Sequence, residues 1–228
     1  MRTHVYIDGF NLYYGLLRGT PWKWLNLEVL FDALLPRNEV VRIRYFTARV
    51  QARLGDGLQP VRQATYLRAL ATLPRVEIVY GSFLSQPSRK PLLALDANGR
   101  YRRNSDGSLV LDTQADGQIR RAWTMKTEEK GSDVNLAAHL LRDGFLARSA
   151  FDCAVIVSND SDLLTPIGMA KTDCGLTIGL VPPRPDGSRE LKRLADFVIA
   201  PRNHHLDGAR FPEILHDARG EIRKPKGW

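Results

Sequence analysis

With 228 residues, 43% of them hydrophobic, the chain suits one large domain or a domain carrying an insertion, with enough apolar material for a core. No stretch is long and apolar enough to span a bilayer, and charged and polar residues interrupt the start where a signal peptide would lie, so a soluble, cytoplasmic protein without membrane contact is expected. Two cysteines, Cys153 and Cys174, exclude a disulfide scaffold and read as reduced core thiols, while 33 Lys and Arg against 25 Asp and Glu leave a net charge of +8 that favours a polyanionic partner, most simply nucleic acid.

Residues 3–7 form a short predicted strand ending in Asp8-Gly9-Phe10-Asn11, and residues 12–17 can start a helix. Leu27, Leu30, Phe31 and Leu34 recur at helical spacing over 26–35, and Pro36 and Asn38 end that helix. Residues 40–47 read as a second strand. A helix over 61–73, with Leu67 and Leu70 inward, is stopped by Pro74, and 76–80 are a third strand. This β-α-β-α-β order predicts right-handed crossovers and a mainly parallel sheet with helices on both faces.

Residues 82–122 break the rhythm. Turn signals at Asn98-Gly99, Asp106-Gly107 and Asp116-Gly117 separate short runs, the signature of hairpins. The segment reads as an inserted β arm, and the chain shows no repeats. The arm carries Arg100, Arg102, Arg103, Arg120 and Arg121, with Tyr101 and Trp123 among them. Such side chains suit the bases and phosphates of single-stranded RNA, although charged edge residues also serve simply to discourage edge pairing.

Gly131 then breaks the chain, Ser132 can cap, and Asp133 enters the first turn of a helix whose expected inner face is Val134, Ala138, Leu141 and Phe145. Ala154-Val155-Ile156-Val157 is an uninterrupted apolar run, as in a strand buried on both faces. It stops in Ser158-Asn159-Asp160-Ser161-Asp162, and residues 163–171 read as helix. A fifth strand is expected at 177–181, a short helix at 188–194 and a last strand at 197–200. This gives a domain over 1–203 and a basic, irregular tail over 204–228 whose Phe211, Ile214, Leu215 and Trp228 can pack on the domain.

Acids thus tip two strands and open a helix. Open α/β sheets bind ligands at the carboxyl ends of their strands. If those strands are neighbours, Asp8, Asp133, Asp160 and Asp162 meet in one pocket, and like charges so close require a compensating cation. Oxygen donors of this kind suit Mg²⁺ or Mn²⁺, which can activate a water for phosphodiester cleavage. Asn11 offers an amide to orient a carboxylate or phosphate, and Lys126 and Lys130 can neutralise the phosphate. A plainer reading is that each acid caps a helix or faces its dipole. The sequence has no Gly-x-Gly-x-x-Gly after the first strand, no Walker loop and no Gly-x-Ser-x-Gly elbow, and its five histidines lack zinc-protease spacing.

Three blocks, Tyr6-Ile7-Asp8-Gly9-Phe10-Asn11-Leu12, Lys130-Gly131-Ser132-Asp133-Val134 and Ser158-Asn159-Asp160-Ser161-Asp162-Leu163, resemble the signature blocks of the NYN domain, in its bacterial LabA-like branch, a relative of the PIN-like nucleases. The closing Lys224-Pro225-Lys226-Gly227-Trp228 resembles tails of that branch. The resemblance implies a Rossmann-like three-layer α/β/α fold and a metal-dependent endoribonuclease. Asp8, Asp133, Asp160 and Asp162 match its metal-site acids, and Asn11 the polar residue beside the first. The expected activity is Mg²⁺- or Mn²⁺-dependent RNA hydrolysis, the alternative being a non-catalytic RNA-binding module. RNA is the expected partner, with a homodimer possible.

Overall fold

In a computed structural model, which describes residues 1–52, 56–146 and 150–228, the chain opens with strand β1 (Arg2–Asp8), buried at every position after Arg2. It continues through α1 (Gly9–Leu12), a wider π-type turn over Tyr13–Leu17, α2 (Leu27–Leu34), β2 (Glu39–Thr47), α3 (Gln59–Leu70) and β3 (Val76–Tyr80). Strands β4 (Ser82–Pro91) and β5 (Arg121–Lys130) form the arm. Then follow α4 (Ser132–Leu146), β6 (Cys153–Val157), α5 (Leu164–Thr172), β7 (Thr177–Leu180), α6 (Arg189–Leu194), β8 (Phe197–Val198), α7 (Asn203–Gly208), β9 (Ile214–Asp217) and β10 (Gly220–Arg223).

Six strands build one sheet in the order β3-β2-β1-β6-β7-β8, and all five neighbouring pairs are parallel. Strand β1 lies in the middle because it offers apolar side chains to both faces. Val5 and Ile7 join one core with α2, α3, α7 and the β9–β10 hairpin, and Tyr6 joins the other with α4, α5 and α6. The result is the expected Rossmann-like three-layer α/β/α fold. Cys153 and Cys174 are buried, and burial pushes the Cys153 thiol up to about 11.

Gly179 shows how tightly the last strands pack. A Cβ there would stand 2.4 Å from Phe197 Cζ and 3.0 Å from Val155 Cγ2. Gly179→Ala is therefore expected to lower stability by about 1–3 kcal/mol, as forced overpacking does. Urea unfolding checks this, and an unchanged midpoint would show that the Phe197 ring yields freely.

Two expectations are corrected here. The inner face of α4 is Leu136, Leu140, Asp143 and Gly144, whereas Val134 and Phe145 are exposed. Asp143 sets the helix's rotation by pairing with buried Arg44, and Gly144 lets the backbone approach Cys174, whose Sγ would lie 2.7 Å from an added Cβ. The tail, expected to be irregular, is folded. Arg68 Nε donates to Asp217 Oδ2 at 2.8 Å and its Nη2 to Gly220 O at 3.1 Å, while Phe211 and Ile222 are buried.

The arm is a unit of its own, Phe83–Glu128. Beyond the β4–β5 ladder, three equivalent turns each place a glycine at positive φ, Gly99 at 76°, Gly107 at 85° and Gly117 at 82°. Two closed rings of backbone hydrogen bonds bind the turns together. Leu92 N–H donates to Arg120 O, Arg120 N–H to Asp112 O and Asp112 N–H to Leu92 O. Ala94, Val110 and Arg102 close a second ring in the same way, with all six bonds between 2.8 and 3.0 Å. The arm is thus internally threefold, which corrects the expectation of no repeats: Asp96-Ala97-Asn98-Gly99, Asn104-Ser105-Asp106-Gly107 and Gln114-Ala115-Asp116-Gly117 repeat one turn pattern.

Candidate active site

The sheet's strand order reverses between β1 and β6, where Ile7 pairs with Val157. Just beyond that pair, Asp8 and Ser158 face one another across the crevice in which α/β sheets of this kind hold ligands. Asp8 Oδ1 accepts from the N–H groups of Phe10 (3.1 Å) and Asn11 (2.9 Å), capping α1. Its Oδ2 accepts from Asn11 Nδ2 and from Ser158 Oγ at 3.3 Å. Asn11 Oδ1 in turn accepts from Asn159 N–H at 3.3 Å, and Ser158 Oγ from Asp160 N–H at 3.0 Å. Asp160 Oδ1 accepts from Asp162 N–H at 3.0 Å, capping the 3₁₀ turn Ser161–Leu163 that leads into α5. One hydrogen-bonded string therefore ties the end of β1 to the end of β6. Gly9 permits it, because a Cβ there would lie 2.7 Å from Tyr45 Cζ and 2.8 Å from Phe46 O.

Asp133 sits in the first turn of α4. Burial, and then the negative charges of Asp8, Asp160, Glu129 and Asp162, push its carboxyl up to about 6. All four expected acids thus lie within electrostatic reach at one end of the sheet. Burial also raises the Asp8 carboxyl, an effect that the hydrogen bonds from Asn11, Ser158 and Phe10 oppose. Two neighbours escape sequence reading. Glu129 accepts from Ser132 N–H at 3.0 Å and adds its charge to Asp133, and Tyr45 is a buried phenol that feels Asp8. The acid ahead of Ser132 was the available signal for Glu129, whereas Tyr45 gave none. Lys130 ends β5 just before Gly131. Lys126, Arg100, Arg102, Arg103, Arg120 and Arg121 belong to the separate arm, where the five arginines are exposed.

The expectation that these acids form a metal cage is corrected. Among the described residues no group of three His, Cys, Asp or Glu side chains is placed to hold a metal ion. The capping reading explains why. Both oxygens of Asp8 and one of Asp160 are turned to hydrogen-bond donors rather than to a common centre. As placed, the acids do not converge on one centre among the described residues.

Fold and crevice together define a doubly wound α/β protein with an acid-lined site at its switch point. No protein-family model matches the chain. It is 32% identical over 254 aligned residues to 6-hydroxy-3-succinoylpyridine 3-monooxygenase HspA of Pseudomonas putida (strain DSM 28022 / S16), covering 100% of this chain and 75% of the relative. The chain belongs to that protein's family, which places it among enzymes. A protein of unknown function from Vibrio parahaemolyticus RIMD 2210633, solved by crystallography, is 18% identical with a TM-score of 0.48, covering 89% of this chain and 93% of its own. The monooxygenase relative overturns the expected metal-dependent endoribonuclease, because a relative similar along the whole chain is named for oxygen insertion rather than phosphodiester hydrolysis. Among the described residues, no helix is long and apolar enough to cross a membrane.

Proposed function

We propose that the protein is a monooxygenase acting on a hydroxylated, nitrogen-containing aromatic ring, held in the crevice between β1 and β6. The similarity to the pyridine monooxygenase over the full chain carries this reading. At a ring carbon that bears hydrogen, the reaction replaces the C–H bond by C–OH. One oxygen atom of O₂ enters the product and the other leaves as water, with a hydride from an organic donor and one proton completing the balance. The three blocks that resemble the NYN domain supply the walls of the crevice, and on this reading they mark a scaffold rather than a shared chemistry.

Within the crevice, Asp133 is the acid suited to move a proton near neutral pH, since its carboxyl titrates at about 6. It takes the proton that the ring carbon loses once oxygen is added, which restores the aromatic ring. Asn11 and Ser158 hold Asp8, the buried floor, in one orientation.

The test is turnover of a panel of hydroxypyridines by the purified protein with an organic hydride donor under ¹⁸O₂. The expected result is O₂-dependent product carrying one labelled oxygen. The absence of product above the protein-free blank with every ring, or product without label, sinks the reading.

A further inference from the structure

Among the described residues, the buried side-chain polar atoms without a hydrogen-bond partner are His4 Nδ1, Ser132 Oγ and both amide atoms of Asn159, the one residue with both a donor and an acceptor in that state. Its backbone N–H is fixed to Asn11 Oδ1, yet its side-chain Oδ1 and Nδ2 meet no hydrogen-bonding group among the described residues. Buried amides are rarely left so, which points to a partner that arrives with a ligand. Above the amide lies the segment between β7 and α6, residues 181–188. A Cβ on Gly187 would stand 1.9 Å from Asn159 Oδ1, and one on Gly15 would stand 2.7 Å from Pro183 Cβ. The segment therefore bears on both sides of the crevice, on the turn after α1 and on the end of β6, with a glycine at each contact.

The neighbouring groups show what Asn159 adds. Carboxylate oxygens can only accept hydrogen bonds. The Asn11 amide is committed, its Nδ2 to Asp8 and its Oδ1 to Asn159. Asn159 alone among these offers a donor and an acceptor side by side, with neither in use. A pyridine with a hydroxyl next to its ring nitrogen has a lactam tautomer, with N–H and C=O on one edge, and a carboxamide matches that edge with two hydrogen bonds.

We propose that Asn159 reads the lactam edge of the substrate ring, Nδ2 donating to the ring C=O and Oδ1 accepting from the ring N–H, as the 181–188 segment lifts off the amide. This rests on the monooxygenase reading for the class of ring. The acids around it then face the rest of the ring, where the proton is moved.

Calorimetric titration of the full chain with 2-pyridone and N-methyl-2-pyridone tests this without turnover. The wild type is expected to prefer 2-pyridone, whose N–H is free. Asn159→Leu keeps the shape of the side chain but neither polar atom. It is expected to bind 2-pyridone about tenfold to a hundredfold more weakly and to lose the preference. Because it removes no bond present in the empty protein, its melting temperature should not fall. Equal binding of 2-pyridone by both proteins, or no preference in the wild type, overturns the assignment, as does a marked drop in melting temperature. The two failures separate. If hydroxypyridines are oxidised with ¹⁸O incorporation but Asn159→Leu binds as the wild type does, only the role of Asn159 is lost. If no hydroxypyridine is bound or oxidised, the function reading falls with it.

Discussion

Asp133→Asn is expected to lower kcat/KM for ring oxidation by about 10²- to 10⁴-fold, the usual worth of a positioned general base. The carboxyl titrates at about 6 because it is half-buried among Asp8, Asp160, Glu129 and Asp162. Wild-type kcat/KM should therefore rise with pH through about 6 as the base becomes ionised, and the variant should lose that limb. Stability moves the other way. A carboxyl whose folded-state value lies above the unfolded 3.8 takes up a proton on folding between those values. Its contribution is fully present below the unfolded value and is lost as pH rises through about 6. The neutral Asn side chain escapes that loss, so Asp133→Asn should melt higher than the wild type at pH 8 and about equally at pH 4. Rate profiles and thermal melts at both pH values check the pair of signs. A variant that keeps the acid limb removes Asp133 as the base.

The sheet was legible because β1 and β6 are unbroken apolar runs, and a strand buried on both faces has few other places to go. The acids at their ends were legible for the same reason, since a carboxylate after such a run must stand at the sheet's edge. What the acids do there was not. Capping and metal binding ask for the same residues at the same positions, and only coordinates show that Asp8 turns its oxygens to Phe10, Asn11 and Ser158. The face of α4 was misread because hydrophobic spacing points to Val134 and Phe145, whereas a charged residue, Asp143, is drawn inward by an arginine far away in sequence. The folded tail hid behind its charge, since Arg68 and Asp217 are polar in sequence and adjacent only in space. The chemistry was least legible of all, because a doubly wound sheet presents the same crevice to unrelated reactions.

Arg44→Met is expected to cost about 3–5 kcal/mol of stability, the range for stripping one partner from a buried charge pair. Arg44 is 2% exposed in the middle of β2. Its Nη1 pairs with Asp143 Oδ2 and its Nε donates to Glu77 Oε2 at 2.9 Å, while Tyr6 Oη donates to the same Asp143 oxygen at 2.8 Å. Burial alone would raise the Asp143 carboxyl. His4, 3.7 Å away, together with Arg44 and Tyr6, instead holds it well below the usual carboxylate range. That depression means the network's stabilisation is present above the unfolded value near 3.8 and fades as pH falls towards the folded one. Urea unfolding at pH 7 and pH 3 should show the loss in Arg44→Met shrinking with acid. The double variant Arg44→Met with Asp143→Leu leaves no buried charge of the pair and should lose less than the two single variants added together. Additive losses would show that the two residues act separately. The network also reaches the crevice, because Asp143 and Asp133 lie on one helix and the pairing with Arg44 fixes how that helix is rotated. Loosening it should blur the pH at which Asp133 titrates, and the same kinetic profile that tests the base also reads this change.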